Sequence, residues 1–195
     1  MNIIYVKTAK AKGYTALGIA RGEEKLAYTV ADSVYRQIGS PRPSDAVDDN
    51  ALMIIERADF EYRAKRKALN LLAYGDNSMR TLYNKLVRYG IPKSIADSTV
   101  REMVRLGYVD EDRTLRRIIA DEVNLRYTGP MKLSAMLTAK GYSREKVKNI
   151  CDELSSIGAI DFDEAKRSLI EKRLPENAEP EEIKKFLYKN GYSTC

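Results

Sequence analysis

The chain contains no histidine and only two cysteines. The lack of histidine removes the commonest general base, the commonest metal ligand and every catalytic triad that uses an imidazole. Cys151 and Cys195 lie apart without metal-ligand spacing, and Cys151 occupies an apolar helix position, so neither a disulfide framework nor a zinc site is indicated. These absences predict a protein that is not an enzyme and that holds no metal and no cofactor.

Long hydrophobic runs are missing as well. The longest apolar stretches have only a few residues, as in ALMII at 51–55, and the N-terminus lacks the charged and apolar segments of an export signal. We therefore expect a soluble, cytoplasmic protein that does not enter a membrane. Hydrophobic residues still make up 44% of the 195 positions, which is enough to build real cores and argues against extended disorder.

Positive charge is concentrated in the middle of the chain. The formal net charge is +6 and the pI is near 9.2. Residues 1–60 carry 8 basic and 8 acidic groups, residues 61–130 carry 14 and 9, and residues 131–195 carry 12 and 11. Since a local field guides an anionic partner better than the overall charge does, the middle segment is the region that we expect to attract one.

The N-terminal region has the pattern of a small sheet. Three short apolar runs, IIYVKTA, YTALGIA and KLAYTVA, are separated by KAKG and RGEEK, which predicts antiparallel strands joined by turns. Asp32 and Ser33 are placed to cap a short helix that stops at Gly39. Apolar residues at helical spacing then predict a long helix from Asn50 to Tyr74, which Gly75 is placed to end.

An internal repeat with an offset of 51 residues occupies the rest of the chain. Residues 82–112 match residues 133–163 with seven identities in 31 positions, and a third copy opens at Ile183. The shared positions are apolar core residues, glycine turns and acidic helix starts, a pattern that predicts tandem three-helix units with a shortened last one. We expect core positions at Leu82, Leu86, Val100, Leu133, Leu137 and Cys151.

These patterns predict a mainly α fold in which a small N-terminal β-hairpin or sheet is followed by tandem three-helix repeats in an elongated, curved array. Five segments follow from the pattern. They are a small β-sheet with a short helix at 1–45, a connecting helical segment at 46–76, repeat 1 at 77–127, repeat 2 at 128–174 and a truncated repeat 3 at 175–195.

Clustered acids raise the question of a metal site. Asp110, Glu111 and Asp112 are adjacent in RLGYVDED, and Asp161 and Asp163 stand at the equivalent positions of SSIGAIDFDE. Each acidic group follows an apolar pair and precedes a helical run, where a carboxylate can accept the free amides of the first turn. A metal site would need further converging ligands. We interpret Asp110 and Asp161 as helix caps.

Two basic clusters are candidate partner-binding sites. They consist of Arg63, Lys65, Arg66 and Lys67 in RAKRKAL, and of Arg113, Arg116 and Arg117 in RTLRRI. Either cluster is a solvated helix face or a surface for carboxylates or phosphates, and the sequence does not separate acidic protein from nucleic acid. The 13 tyrosines are interpreted mainly as packing residues, because base stacking would need several aromatics beside cations on one surface.

The layout and motifs resemble those of the RecX family. In the first repeat, SMRTLYNKL is similar to the family pattern of Ser, two residues, Glu-Leu, two residues and Lys-Leu through Ser78, Leu82, Lys85 and Leu86, with Thr81 in place of the glutamate. Because that glutamate is lost, a reciprocal capping box cannot form, although Ser78 can still cap.

Two further stretches carry the resemblance. The turn GYVDEDR is similar to the family's Gly-Tyr-Leu-Asp-Asp-Glu-Arg, and GPMKLSAMLTAKGY in the second repeat resembles the family pattern through Gly129, Leu133, Leu137, Lys140 and Gly141. The resemblance covers nearly the whole chain.

The resemblance implies a non-enzymatic regulator of the RecA recombinase. Such a protein would bind RecA and its filament on single-stranded DNA and inhibit its ATPase, strand-exchange and coprotease activities. We expect a monomer, and the sequence leaves open whether DNA is contacted directly. The alternative is a DNA-binding transcriptional regulator, since tandem three-helix units can look like helix-turn-helix modules.

Overall fold

The computed structural model describes residues 1–193, and its N-terminal part is an antiparallel sheet of three strands in chain order. Strand β1 spans Asn2–Thr8, β2 spans Tyr14–Arg21 and β3 spans Glu24–Ala31. A two-residue turn joins β2 to β3, whose register begins with Arg21 opposite Glu24. The predicted sheet is confirmed.

Helices make up most of the remaining described residues. In chain order they are α1 (Asp32–Gln37), α2 (Asp49–Ala73), α3 (Met79–Arg88), α4 (Lys93–Arg105), α5 (Glu111–Asn124), α6 (Pro130–Ala139), α7 (Arg144–Ser156), α8 (Phe162–Arg173) and α9 (Pro180–Lys189). The prediction of a mainly α fold with a small N-terminal sheet is therefore confirmed.

The chain divides into two compact units, each with its own hydrophobic core. The first unit contains residues 1–74 and 83–103, and the second contains residues 75–82 and the residues from 104 onward. The boundaries of the sequence repeats remain predictions.

In the first unit, one face of the sheet packs against α2. Leu17 and Ile19 are alternate residues of β2 and are both fully buried, while Leu52, Ile55 and Ala58 recur at helical spacing on α2. The two periodicities place both sets of side chains in one core, which is why these segments fold as a strand and a helix.

The start of α1 differs from the prediction. Asp32 and Ser33 are both helical residues, the N-cap is Ala31, and no side chain caps the helix. The Asp32 carboxylate instead accepts a hydrogen bond from the Thr15 hydroxyl at 2.7 Å. The sequence pattern predicted that the Asp32 carboxylate would accept from amides of the helix, but it accepts from the Thr15 hydroxyl on β2.

In the second unit, helices α5 to α8 enclose the main core. Its central members are almost fully buried apolar side chains: Leu115, Ile119, Val123, Leu133, Leu137, Val147, Ile150 and Leu154. A smaller cluster joins α8 to α9 through Leu169, Leu187 and Tyr192. The burial of Leu82, Leu86, Val100, Leu133 and Leu137 confirms these five predicted core positions.

Cys151 does not occupy the core position that was predicted for it. The buried stripe of α7 runs through Val147, Ile150 and Leu154, and Cys151 lies at its flank, half-buried against the core. Partial burial raises the pKa of the Cys151 thiol to about 11, so the thiol is protonated at neutral pH.

Glycines end the paired helices as the sequence predicted. Gly90, Gly107, Gly141, Gly158 and Gly191 have φ between +68° and +93°. A residue with a Cβ is strained in this region of backbone space, which explains why glycine recurs at equivalent places in the repeat.

Membrane spanning requires a long helix with few charges. Among residues 1–193, no helix combines the length and the apolar character needed to cross a bilayer.

Replacing Leu137 tests the core of the second unit. Its side chain is fully buried, so Leu137→Ala should lower the free energy of unfolding by about 2–5 kcal/mol through lost burial and an added cavity. Met131→Ala on the same helix is the matched control, because Met131 is 47% exposed and its loss should cost about 0.5 kcal/mol or less. Urea unfolding followed by circular dichroism measures both, and equal effects would contradict the assigned core.

Candidate partner-binding surfaces

Four cations on one stretch of α2 form the α2 cluster: Arg63, Lys65, Arg66 and Lys67. The Arg63 guanidinium lies 3.8 Å from the Asp59 carboxylate and 5.5 Å from the centre of the Phe60 ring. The Lys67 ammonium lies 4.4 Å from the centre of the Tyr89 ring. Arg63 and Lys67 are therefore held by contacts within the first unit.

The other two members of the α2 cluster face a cleft. Lys65 Nζ pairs with Glu102 at 2.9 Å. Arg66 is exposed, and within residues 1–193 it forms no ion pair. Arg66 is thus the member of the cluster whose charge is most available to a partner.

The cleft beside α2, which we call the α2 cleft, has a volume of about 480 Å³. It is lined by Lys10, Ala11, Tyr14, Tyr62, Lys65, Arg66, Leu69 and Asn70. The rings of Tyr14 and Tyr62 are in contact, with centroids 4.8 Å apart and planes inclined by 52°. The structure thus brings two tyrosines together with two predicted site residues.

Sequence reasoning missed this grouping because it treated the tyrosines as packing residues. A signal was present, since Tyr62, Lys65, Arg66, Leu69 and Asn70 fall at helical spacing and so share one stripe of α2. The contribution of Tyr14 and of the β1–β2 turn comes from the tertiary fold and has no local signature.

The second predicted cluster, Arg113, Arg116 and Arg117, lies on α5 and is called the α5 cluster. Arg116 Nη2 lies 2.9 and 3.1 Å from the two carboxylate oxygens of Glu153 on α7, and this hydrogen bonding raises the pKa of the Arg116 guanidinium. Arg117 pairs with Asp76 and lies 3.9 Å from Asp121.

Arg113 differs from its two neighbours. Its side chain is exposed, and it has no ion pair in the described part of the chain. The side chains of Arg116 and Arg117 are also 41% and 59% exposed. Since exposed ion pairs contribute only about 0–1 kcal/mol, an anionic partner can exchange for the internal acids at little cost.

The acidic turn before α5 caps the helix, as predicted. The Asp110 carboxylate accepts a hydrogen bond from the Arg113 amide at 3.0 Å. Asp112 pairs with Lys146 Nζ at 2.9 Å, and this contact lowers the pKa of the Asp112 carboxyl. Glu111 lies 3.1 Å from the same ammonium. Two of the three adjacent acids therefore share Lys146, and the third caps α5.

The equivalent acid before α8 behaves in the same way. The Asp161 carboxylate accepts hydrogen bonds from the amides of Glu164 at 3.0 Å and Asp163 at 2.8 Å. These two bonds hold the pKa of Asp161 below its ordinary value. The cap interpretation of Asp110 and Asp161 is confirmed by these contacts.

A junction between helix ends organises the second unit. The hydroxyls of Ser78 and Thr81 each lie 2.8 Å from the carbonyl oxygen of Lys140, at the end of α6, and Ser78 also caps α3 by accepting from the Thr81 amide at 3.1 Å. A Cβ at Gly141 would lie 2.6 Å from Ser78 Oγ. Only glycine permits this approach.

A second junction repeats the arrangement with backbone groups. The amides of Gly129 and Met131, at the start of α6, donate to the carbonyls of Asn190 at 2.8 Å and Gly191 at 3.0 Å, at the end of α9. A Cβ at Gly129 would lie 2.5 Å from the backbone of Gly191. The motif glycines and Ser78 thus have packing roles that the sequence did not reveal.

Comparison with known proteins identifies relatives for this fold. No family model matches the chain. The chain is 24% identical over 116 residues to the regulatory protein RecX of Lactobacillus johnsonii, in a match that covers 60% of the chain but only 42% of that protein. It is 26% identical over 121 residues to the regulatory protein RecX of Stenotrophomonas maltophilia, covering 62% and 71%.

Solved structures share the same fold over most of the chain. A crystal structure of regulatory protein RecX superposes with a TM-score of 0.70 and 18% identity, covering 98% of this chain and 94% of that one. The chain therefore has the fold of this RecX structure. The RecX structure from Lactobacillus salivarius has a TM-score of 0.61 and 19% identity, covering 70% and 91%. Both solved structures thus share the fold of this chain, and both sequence relatives are named as regulatory proteins.

Replacing Asp110 tests its role as a cap. Asp110→Ala removes the acceptor for the Arg113 amide and should lower the free energy of unfolding by about 1 kcal/mol, whereas Asp110→Asn keeps an acceptor and should cost only a few tenths. Chemical unfolding of both variants measures the difference. An Asn variant as unstable as the Ala variant would show that charge, and not the hydrogen bond, is what the turn requires.

Acid titration tests the Asp161 cap. A carboxyl whose pKa is depressed in the folded state contributes stability above its unfolded pKa of about 4 and loses that contribution as the pH falls through the folded value. Asp161→Asn accepts the same amides without ionising. The melting temperature of the parent should therefore fall relative to that of the variant between about pH 5 and about pH 2, and a constant difference would contradict the assignment.

Proposed function

We propose that the chain is a regulator that binds the RecA recombinase and its filament on single-stranded DNA. Binding inhibits the ATPase, strand-exchange and coprotease activities of the recombinase. Inhibition of this kind needs a surface and no catalytic group, so the protein acts without chemistry of its own.

The observation that carries this proposal is the match to RecX along almost the entire chain. The superposition with the regulatory protein RecX covers 98% of the described protein at a TM-score of 0.70. Two sequence relatives have the same name. The recombinase as partner comes from the family resemblance of the sequence motifs, and the regulatory role from the names of the relatives.

The α5 cluster is the proposed contact with the recombinase itself. Arg113 presents an unpaired guanidinium, and Arg116 and Arg117 are exposed arginines that already bind carboxylates. A guanidinium recognises a carboxylate in a planar, two-point geometry. Acidic side chains of a partner can take the places of Glu153 and Asp76, which favours a protein partner for this cluster.

A sequence-reading DNA regulator is less well supported. Such a protein needs cations or amides on a recognition helix that enters the major groove. In the second helix of each repeat, Arg101 pairs with Asp97 at 2.6 Å and Lys146 with Asp112 at 2.9 Å. Arg101 and Lys146 are therefore engaged within their own units. The remaining cations of these two helices are Lys93 and Arg105 on α4 and Arg144 and Lys148 on α7.

A pull-down separates the two functions. The chain would be passed over immobilised recombinase alone, over recombinase assembled on single-stranded DNA with a nucleotide analogue, and over duplex DNA alone. Retention by the recombinase supports the proposal. Retention by duplex DNA without retention by either recombinase sample would favour the transcriptional regulator instead.

Removing the α5 cluster tests the contact surface. A triple variant with Arg113→Gln, Arg116→Gln and Arg117→Gln should inhibit the filament ATPase with an affinity weakened about tenfold or more, if each exposed pair contributes about 0.5–1 kcal/mol. Glutamine avoids the like-charge contacts with Glu153 and Asp76 that a reversal to glutamate would create.

The matched control is Lys184→Gln, Lys185→Gln and Lys189→Gln on α9, which removes the same charge from exposed positions. This control should inhibit as the parent does. If both triple variants lose the same affinity, net charge and not the α5 cluster determines binding.

A further inference from the structure

We propose that the α2 cleft binds single-stranded nucleic acid, holding its phosphates with Lys10, Lys65 and Arg66 and stacking a base on Tyr14 or Tyr62. This inference rests on the proposed function, in which the partner is a filament on single-stranded DNA, and assigns the DNA contact to a specific surface of the first unit. The α2 cleft then has a role that differs from that of the α5 cluster.

The charges of the cleft suit phosphates. Three of its eight lining residues are cations and none is acidic. Lys10 and Arg66 are exposed and form no ion pair within residues 1–193, while Lys65 pairs with Glu102. At least two positive charges therefore face the cleft without an internal counter-ion, which favours a polyanion over a neutral ligand.

The rings of the cleft suit bases. Tyr14 and Tyr62 are half-buried and both line the cleft, so part of each side chain is accessible from it. Their planes are inclined by 52°, so a base can stack on one ring at a time with its edge against the other. Leu69, which is 40% exposed, extends the apolar floor, and Asn70 offers an amide at the rim.

The combination of cations and rings favours a single strand over the alternatives. A carboxylate-bearing peptide would use the cations but has no need of two tyrosine faces. A duplex presents phosphates, but its bases are stacked internally and do not reach a ring at the bottom of a cleft. A single strand exposes a phosphate and a base face on each nucleotide, which matches both features of the cleft.

Fluorescence anisotropy with a labelled oligothymidylate of about 12 nucleotides, a length within the range of small single-strand sites, tests the proposal without any recombinase. The parent should bind this probe at least about tenfold more tightly than a duplex of equal length. Tyr62→Leu keeps an apolar side chain but removes the ring face, and should weaken binding about fivefold or more.

Arg66→Ala tests the phosphate contact through salt dependence. In a plot of log affinity against log salt concentration, the slope for a single strand should become shallower by about 0.7 when one cation is lost. Arg57→Ala is the matched control, because Arg57 lies on the same helix outside the cleft and has a 77% exposed side chain. It should leave both slope and affinity unchanged.

Several outcomes would overturn the proposal. They are equal binding of single strand and duplex, parental binding by Tyr62→Leu, equal effects of Arg66→Ala and Arg57→Ala, or displacement of the probe by an oligoglutamate peptide at similar concentration. The recombinase ATPase assay is read separately. Inhibition without oligonucleotide binding refutes the cleft assignment alone, and oligonucleotide binding without inhibition refutes the proposed function alone.

Discussion

Pairing the carbonyl groups at helix ends is the constraint on which the second unit depends. The last carbonyls of a helix have no partner inside it, and covering one without a hydrogen bond costs about 1–3 kcal/mol. Ser78 and Thr81 provide hydroxyls to Lys140 at the end of α6. The backbone amides of Gly129 and Met131 donate to the carbonyls of Asn190 and Gly191 at the end of α9. The start of α3 therefore packs against the end of α6, and the start of α6 packs against the end of α9.

Both junctions bring the start of one helix to the end of another, but one uses side-chain hydroxyls as donors and the other uses backbone amides. This difference helps to explain why the sequence repeat is weak. Ser78 and Gly129 stand at equivalent positions with an offset of 51 residues, yet one contributes a hydroxyl and the other a backbone amide. Selection on such a junction acts on the approach of two backbones and on the presence of a donor. Identities between the copies lie at turns and caps such as Gly141 and Asp161 and at core positions such as Leu133 and Leu137.

How much the sequence could predict depends on the distance over which each residue acts. Caps and glycine stops act within one turn, so Asp110 and Gly107 were predictable from their neighbours. The apolar face of a helix follows from helical spacing, but its exact edge does not. Cys151, which was predicted to be a core residue, lies at the edge of the buried face of α7. The Asp32 carboxylate accepts a hydrogen bond from Thr15 on β2, and the α2 cleft combines residues of β2, α2 and the β1–β2 turn. Both features depend on contacts between distant segments. No local pattern encodes those contacts.

The two basic surfaces differ in a way that suits a composite partner. In the α5 cluster, Arg116 and Arg117 pair with the internal acids Glu153 and Asp76, whereas Arg113 has no ion pair within residues 1–193. The α2 cleft has no acid among its lining residues and has two tyrosine faces. Each surface alone is expected to bind weakly. Under the proposed function, each surface takes a different part of the partner, the α5 cluster its carboxylates and the α2 cleft its single strand. The two proposed contacts therefore differ in chemistry, since guanidinium groups suit carboxylates whereas cations beside aromatic faces suit phosphates and bases.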